Sequence, residues 1–311
     1  MPQDLKRVCQ EWFPNKKYPE RSGFLMDVKL QQQLEIAVKN IVHDWDFTII
    51  ISGGGEVRVG KSVFALQIMC YWAYQIEKIH NIVVPFNLKE NIVFTWRKLI
   101  EKGNTLGAKA KFSPFCYDEA GETMEGTKTS SRELRAVRDF LRECGQYNFL
   151  NILVMPEFFD LPKGIAITRS VFLLDVYYTS NDEGLFQRGF FKFYSRRNKK
   201  QLYIKGKKEL NYNAHRMNFQ GEFRDFYPVS EDRYRKLKQE ALRDRETGKR
   251  DKLMDVRDML FSLVTEQFGI KQEKLSNWFK ENGMIIPQTT ISGGVNRTRG
   301  YITLSTLNKK I

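Results

Sequence analysis

Three observations predict an α/β fold with a central, mostly parallel sheet, followed by a small α-helical domain. The first is Gly55-Glu56-Val57-Arg58-Val59-Gly60-Lys61-Ser62, which fits G-x-x-x-x-G-K-[S/T] at every position. It lies between an apolar run at 47–51, a buried strand in pattern, and a long apolar run at 63–79, a helix in pattern. The second is a short apolar segment, 112–117, that ends in the paired acids Asp118 and Glu119. The third is the alternation of further apolar strands and amphipathic helices up to about residue 180, after which the last sixty residues read as helices alone.

Residues 1–25 read as an irregular arm rich in Pro, Lys and aromatic side chains, and 26–44 as a helix whose apolar face carries Leu30, Leu34, Ala37, Val38 and Ile41. The strand at 47–51 then delivers the glycine-rich turn, whose backbone N–H groups close around phosphate oxygens. Lys61 reaches the β- and γ-phosphates, and the Ser62 hydroxyl is a ligand for Mg2+, so residues 55–63, ending at Val63, form the expected ATP-binding stretch. Short β-like runs are expected at 81–86 and 91–95 and a helix at 96–102. Pro114 is tolerable near the start of the strand at 112–117, since a proline there leaves the ladder beyond it intact.

At the end of that strand Asp118 would hold Mg2+ opposite Ser62, and Glu119 would orient or deprotonate an attacking water. Two adjacent acids with these roles are the mark of the additional-strand class of P-loop ATPases. Ser130 and Glu133 form an S-x-x-E capping box for the next helix, with Leu134, Val137, Leu141 and Cys144 on its apolar face. Arg135, Arg138 and Arg142 share another face, which suits DNA phosphates, the nucleotide of a neighbouring subunit, or plain solvation beside Glu133, Asp139 and Glu143. Further strands are expected at 149–155, closed by Pro156 and Glu157, and at 170–178, opened by Arg169.

The chain of 311 residues carries 51 Lys and Arg against 37 Asp and Glu, a net charge of +14. Residues 1–180 hold 23 basic and 21 acidic side chains and residues 181–311 hold 28 and 16, so the C-terminal part carries +12. That asymmetry points to a polyanionic partner, nucleic acid above all. Cys9, Cys70, Cys116 and Cys144 make no C-x-x-C pair, which argues against a zinc cluster or disulfide framework and for a cytoplasmic protein. Without a signal peptide or a run of about 18 apolar residues, no membrane insertion is expected.

Beyond residue 180, strand-like runs at 189–194 and 201–205 flank Ser195-Arg196-Arg197-Asn198-Lys199-Lys200 and read as a basic-tipped hairpin extension at about 186–206. Arg196, Arg197, Lys199 and Lys200 are its candidate DNA contacts, while the interleaved aromatic rings suit the core. The core thus spans 26–228, a charged helical linker 229–250, and a helix-turn-helix domain of winged-helix type 251–311. In that last domain helices are expected at 256–268 and 271–280, the second turning Leu275, Trp278 and Phe279 inward. A recognition helix begins at Gln288. Gln288, Thr289 and Ser292 are its groove-facing candidates, Arg297 and Arg299 its backbone contacts, and Gly293 and Gly294 weaken it.

The stretch 142–176, with its G-Q, its N-I-L-V-M-P-E and its I-T-R-S-V-F-L-L-D-V, is similar in spacing to the FtsK/HerA type of DNA-pumping ATPases. That resemblance covers about 45–180 and implies a RecA-like P-loop core. It also places Glu157 where the family has a γ-phosphate-sensing glutamine, and Arg169 where it has an arginine near the subunit interface. Glu157 is an acid and not an amide, and Gln146 replaces the arginine of the family's Gly-Arg. A looser similarity links the chain to the zonula-occludens-toxin-like ATPases of phages and plasmids. The resulting expectation is an ATP-hydrolysing DNA motor of a phage, virus or mobile element, a translocase, helicase or packaging ATPase assembled as a ring of six copies. Two alternatives stand beside it: a nucleotide-switched DNA-binding protein such as a replication initiator or loader, and a virion-assembly or secretion ATPase.

Overall fold

The structure, a computed structural model, describes residues 5–124, 132–246 and 252–298. The expected arm is more regular than its composition suggests: β1 (Leu5–Val8) pairs antiparallel with β2 (Phe24–Asp27). Asp27 then caps α1 (Val28–Ile41), accepting from the Leu30 N–H at 2.9 Å, which answers one of the orphan donors of the first turn. The strand β3 (Phe47–Ser52) leads to α2 (Lys61–His80), and short elements α3 (Leu88–Asn91) and β4 (Ile92–Val93) precede α4 (Trp96–Lys109). The β-like run at 81–86 is not a strand.

The sheet is completed by β5 (Pro114–Tyr117), β6 (Leu150–Val154), β7 (Phe172–Ser180), β8 (Phe186–Tyr194) and β9 (Phe219–Glu222), in the order β4-β5-β6-β3-β7-β8-β9. From β4 to β7 the neighbours are parallel; β8 and β9 add on antiparallel. Strand β6 lies between β3 and β5, so the strand carrying the phosphate loop does not touch the strand carrying Asp118. Pro114 opens β5, as its missing N–H requires. This is the RecA-like P-loop fold with its additional strand.

Burial explains why β3 is apolar throughout instead of alternating. Ile49 and Ile51 face a core shared with α1 and α2, whereas Ile50 faces a second core shared with α4, with the short α5 (Gly121–Met124) and with α6 (Arg132–Glu143). With helices on both faces, a parallel strand has no wet side. Helix α2 is buried almost all round from Val63 to Ile76 and is tied down by Trp72, whose indole donates to the Phe112 carbonyl at 2.8 Å. Ser130 of the expected capping box lies outside the described residues.

The basic hairpin is a correction. Strand β8 is followed by a helix, α7 (Arg196–Gly206), and not by a second strand at 201–205. Arg196, Arg197 and Lys200 are exposed on it, but Lys199 is fully buried and cannot meet DNA. Its ammonium donates to the Ser170 carbonyl at 2.9 Å, to Ser170 Oγ at 2.5 Å and to the Ala166 carbonyl. It thereby ties α7 to the π-helical turn Gly164–Arg169. Burial, with Arg196 nearby, pushes Lys199 down to about 7.

The chain divides into Met1–Ala241 and Leu242–Ile311, the boundary falling within α8 (Glu231–Glu246). In the second unit α9 (Lys252–Ser262) runs on into a π-helical turn, Leu263–Gln267, followed by α10 (Gln272–Glu281) and α11 (Gln288–Thr298). Its small core is Phe261, Ile291 and Val295, with Leu275, Phe279 and Ile286 against it. Trp278 points outward instead, at 52% exposure. Gly294 is a packing requirement: a Cβ there would sit 2.9 Å from the Phe261 ring and 2.8 Å from Asp258 Oδ1.

Replacing Lys199 by Ala strips buried acceptors of their donor and should destabilise the chain by about 2 kcal/mol or more. Urea melts of Lys199→Ala check this; an unchanged midpoint would contradict the anchoring role.

Candidate nucleotide and hydrolysis site

The residues of the phosphate loop lie at the C-terminal end of β3, and 56–63 line a cavity there. The loop is held from beneath by the tip of β6, where the Pro156 carbonyl accepts from the N–H of Gly55 at 2.9 Å and of Gly53 at 3.4 Å. Gly60 caps α2 at φ +99°, a left-handed conformation in which a Cβ would lie 3.1 Å from the Phe223 ring. With no side chain at Gly60, the first-turn N–H groups of α2 are open toward the cavity. Burial lowers the Lys61 ammonium from its ordinary value, opposed by the charges of Glu119, Asp118 and Asp175, and in this state it donates to the Glu56 carbonyl.

Asp118 follows directly on β5, its N–H bonded to the Val93 carbonyl at 2.9 Å. Its carboxylate is 2% exposed and receives the Ser62 hydroxyl on Oδ1 at 3.2 Å. Glu119 adopts φ +70°, a left-handed conformation that costs a non-glycine residue energy and aims its side chain out of the strand line. The cavity they line measures about 1070 Å3 and is closed on the far side by Arg188, Phe223, Arg224, Tyr227 and α8. Gln67 of α2 fixes that wall, its amide donating to the Arg224 and Phe226 carbonyls at 2.7 and 2.9 Å. The donor set of a hydroxyl and a carboxylate beside a phosphate-binding helix terminus suits a hard cation such as Mg2+.

The remaining candidates fall elsewhere. Glu157 is 8% exposed and does not line the cavity. Its Oε1 accepts from the Tyr212 hydroxyl at 2.5 Å and the Phe159 N–H at 3.1 Å, and burial raises its pKa. A carboxylate so held caps the turn Phe158–Asp160 and is not turned to a phosphate. Arg169 lies at the opposite, N-terminal edge of the sheet, where its guanidinium engages both oxygens of Asp46. It forms an ion pair there and does not line the cavity of its own chain. Gln288 and Thr289 are exposed in the first turn of α11 and Ser292 is half-buried. The side chain of Arg297, and all of Arg299, lie outside the described residues.

Two groups escaped sequence reasoning. From α8, assigned to the linker, Tyr234 donates to Asp118 Oδ2 and Lys238 reaches Glu119 Oε1 at 2.6 Å and Asp118 Oδ2 at 3.4 Å. Burial opposes the Lys238 charge, but the two carboxylates outweigh it and its pKa is raised. Their i, i+4 spacing was the only signal in the sequence. On β7, Asp175 sits beside Ser52 in register and is 4% exposed. Burial pushes its carboxyl up to about 7, against the charges of Lys192 and Lys61 and with help from Glu157.

No protein-family model and no curated protein matches this sequence. Among solved structures the chain is similar to the genome packaging NTPase B204 from Sulfolobus turreted icosahedral virus 2. For the complex with ATP-gammaS the identity is 13% and the TM-score 0.32, over 50% of this chain and 94% of that one. For the AMP complex they are 12% and 0.31, over 50% and 95%.

The buried Asp175 carboxyl keeps its proton to about pH 7, whereas an unfolded aspartate releases it near pH 4. The folded chain therefore holds more protons across that window, and this contribution to stability is lost as pH rises through it. Asp175→Asn should gain stability relative to the native chain between about pH 4 and 7. Urea midpoints measured across that range give the sign.

Proposed function

We propose that this chain is an ATPase that couples hydrolysis of ATP to ADP and phosphate with movement of DNA, as a translocase, helicase or packaging motor working in a ring of six copies. The hydrolytic reading is carried by the convergence of Lys61, Ser62, Asp118 and Glu119 on one cavity, with Ser62 Oγ 3.2 Å from Asp118. Backbone N–H groups of 55–63 bind the phosphates, and Lys61 balances their charge. Ser62 and Asp118 would hold the Mg2+, which would supply charge stabilisation at the phosphates. Glu119 orients the attacking water and accepts its proton.

The DNA part rests on charge and placement. Twelve of the fourteen net positive charges lie in 181–311, Arg196, Arg197 and Lys200 are exposed on α7, and α11 presents Gln288 and Thr289 after a six-residue turn. With Arg169 paired to Asp46, the exposed Arg135 and Arg142 of α6 are the better candidates for reaching a neighbour's nucleotide. The similarity to FtsK/HerA motors and to phage and plasmid ATPases favours a viral or mobile-element origin. One observation favours a second reading, a nucleotide-switched DNA-binding protein: Lys238 grips the glutamate assigned to hydrolysis.

Glu119→Gln should retain ATP binding and lose at least about 100-fold in turnover, and Lys61→Ala should lose both. Phosphate release and nucleotide binding, measured side by side, decide this; unchanged turnover in Glu119→Gln overturns the hydrolytic assignment. Single- or double-stranded DNA should raise the ATPase rate, and particle mass with nucleotide should report the ring. Replacing Gln288 and Thr289 together by Ala should weaken DNA binding by about tenfold, seen by fluorescence anisotropy at fixed salt.

A further inference from the structure

The contacts of α8 with Asp118 and Glu119 are unusual in what they occupy. Asp118 is the carboxylate that the preceding reading assigns to Mg2+, yet both of its oxygens already have partners within the chain. Oδ1 accepts from Ser62, and Oδ2 accepts from Tyr234 and lies 3.4 Å from the Lys238 ammonium. The same ammonium is 2.6 Å from Glu119 Oε1, its shorter contact. Neither α8 residue is a passing surface group: Tyr234 is 4% exposed and the Lys238 side chain 24%. They stand one helical turn apart, so a single face of α8 presents a hydroxyl donor and a cation to the two acids.

An ammonium and a divalent cation seek the same carboxylate lone pairs, and neither tolerates the other at close range. We propose that Lys238 is a positioning residue, a tethered cation that competes with Mg2+ for Asp118, holds Glu119 at the same time and is backed by the Tyr234 hydroxyl. Loading of the metal–nucleotide complex then requires α8 to release the two acids. The same displacement frees Glu119 to face water, so the hydrolytic carboxylate becomes available only when metal and nucleotide are both in place. Linkage makes the effect reciprocal: whatever Lys238 subtracts from metal affinity, the metal subtracts from the hold of α8. The inference rests on the reading of Ser62 and Asp118 as metal ligands.

The test is binding, not turnover. The full chain is titrated with a fluorescent, non-hydrolysable ATP analogue across a series of Mg2+ concentrations, and the Mg2+ midpoint for tight binding is read. Lys238→Met should lower that midpoint by about tenfold, while Lys238→Arg, which keeps the cation, should stay near the native value. Tyr234→Phe removes only the hydroxyl and should lower it by about threefold, which keeps the idea testable should the methionine variant fail to fold. Lys236→Gln takes the same charge from an exposed position of the same helix and should leave the midpoint within about twofold, separating direct competition from the general field. Binding with an unshifted midpoint in Lys238→Met and Tyr234→Phe, or an equal shift in Lys236→Gln, would overturn the inference alone. No analogue binding by the native chain at any Mg2+ concentration would overturn the nucleotide reading and this inference with it.

Discussion

The hydrogen bond from Ser62 to Asp118 is the contact on which the site depends, because the fold makes it hard to form. Strand β6 separates β3 from β5, which places their axes two strand spacings apart, about 9.6 Å. A hydroxyl at the start of α2 reaches Asp118 across that gap only if the phosphate loop leans over the tip of β6. The Pro156 carbonyl provides the support, accepting from Gly53 and Gly55 as the loop crosses it. The left-handed glycine at 60 completes the turn, and the ring of Phe223 covers it from the other side. Phe223 is itself stacked on Phe64 of α2, with centroids 4.3 Å apart and planes 12° apart, so the cover is fastened to the helix it serves.

The antiparallel strands β8 and β9 give that cover its place. A P-loop sheet ending at β7 would leave the cavity open on one side. Adding β8 and β9 brings Arg188, Phe223 and Arg224 around it, and the chain returns through α8 to close the rim. An isolated bridge between Met26 and Phe223 joins the N-terminal ribbon to the end of this extension. The extension is thus part of the site's wall.

Legibility in the sequence followed the range of the interactions involved. The phosphate loop and the pair Asp118 and Glu119 are local patterns whose chemistry demands those residues at those spacings, and the fold brings Lys61, Ser62, Asp118 and Glu119 to one cavity. The central strands were legible because burial on both faces writes itself as an unbroken apolar run, as in Ile49, Ile50 and Ile51. Arg169 was placed by analogy at an interface, but its partner Asp46 lies 123 residues away and leaves no local trace. Tyr234 and Lys238 sit in a helix so charged that little beyond their i, i+4 spacing marks one as buried and the other as half-buried, and their partners are 116 to 120 residues distant. The segment from Ser195 to Lys200 failed for another reason: four cations within five residues look alike at the tip of a hairpin and along a helix, and only packing shows which one turns inward.

That inward lysine governs the basic surface beside it. At 3.6 residues per turn, Arg196, Arg197 and Lys200 fall within an arc of about 100° on α7, to one side of Lys199. Because Lys199 is clamped among carbonyls, the helix cannot roll about its axis, and the direction in which the three exposed cations point is fixed by the one that is hidden. A formal charge counts side chains, whereas the field met by an approaching polyanion depends on their bearing. Here the buried member of the run acts as a keel: it adds little to the field and sets its heading.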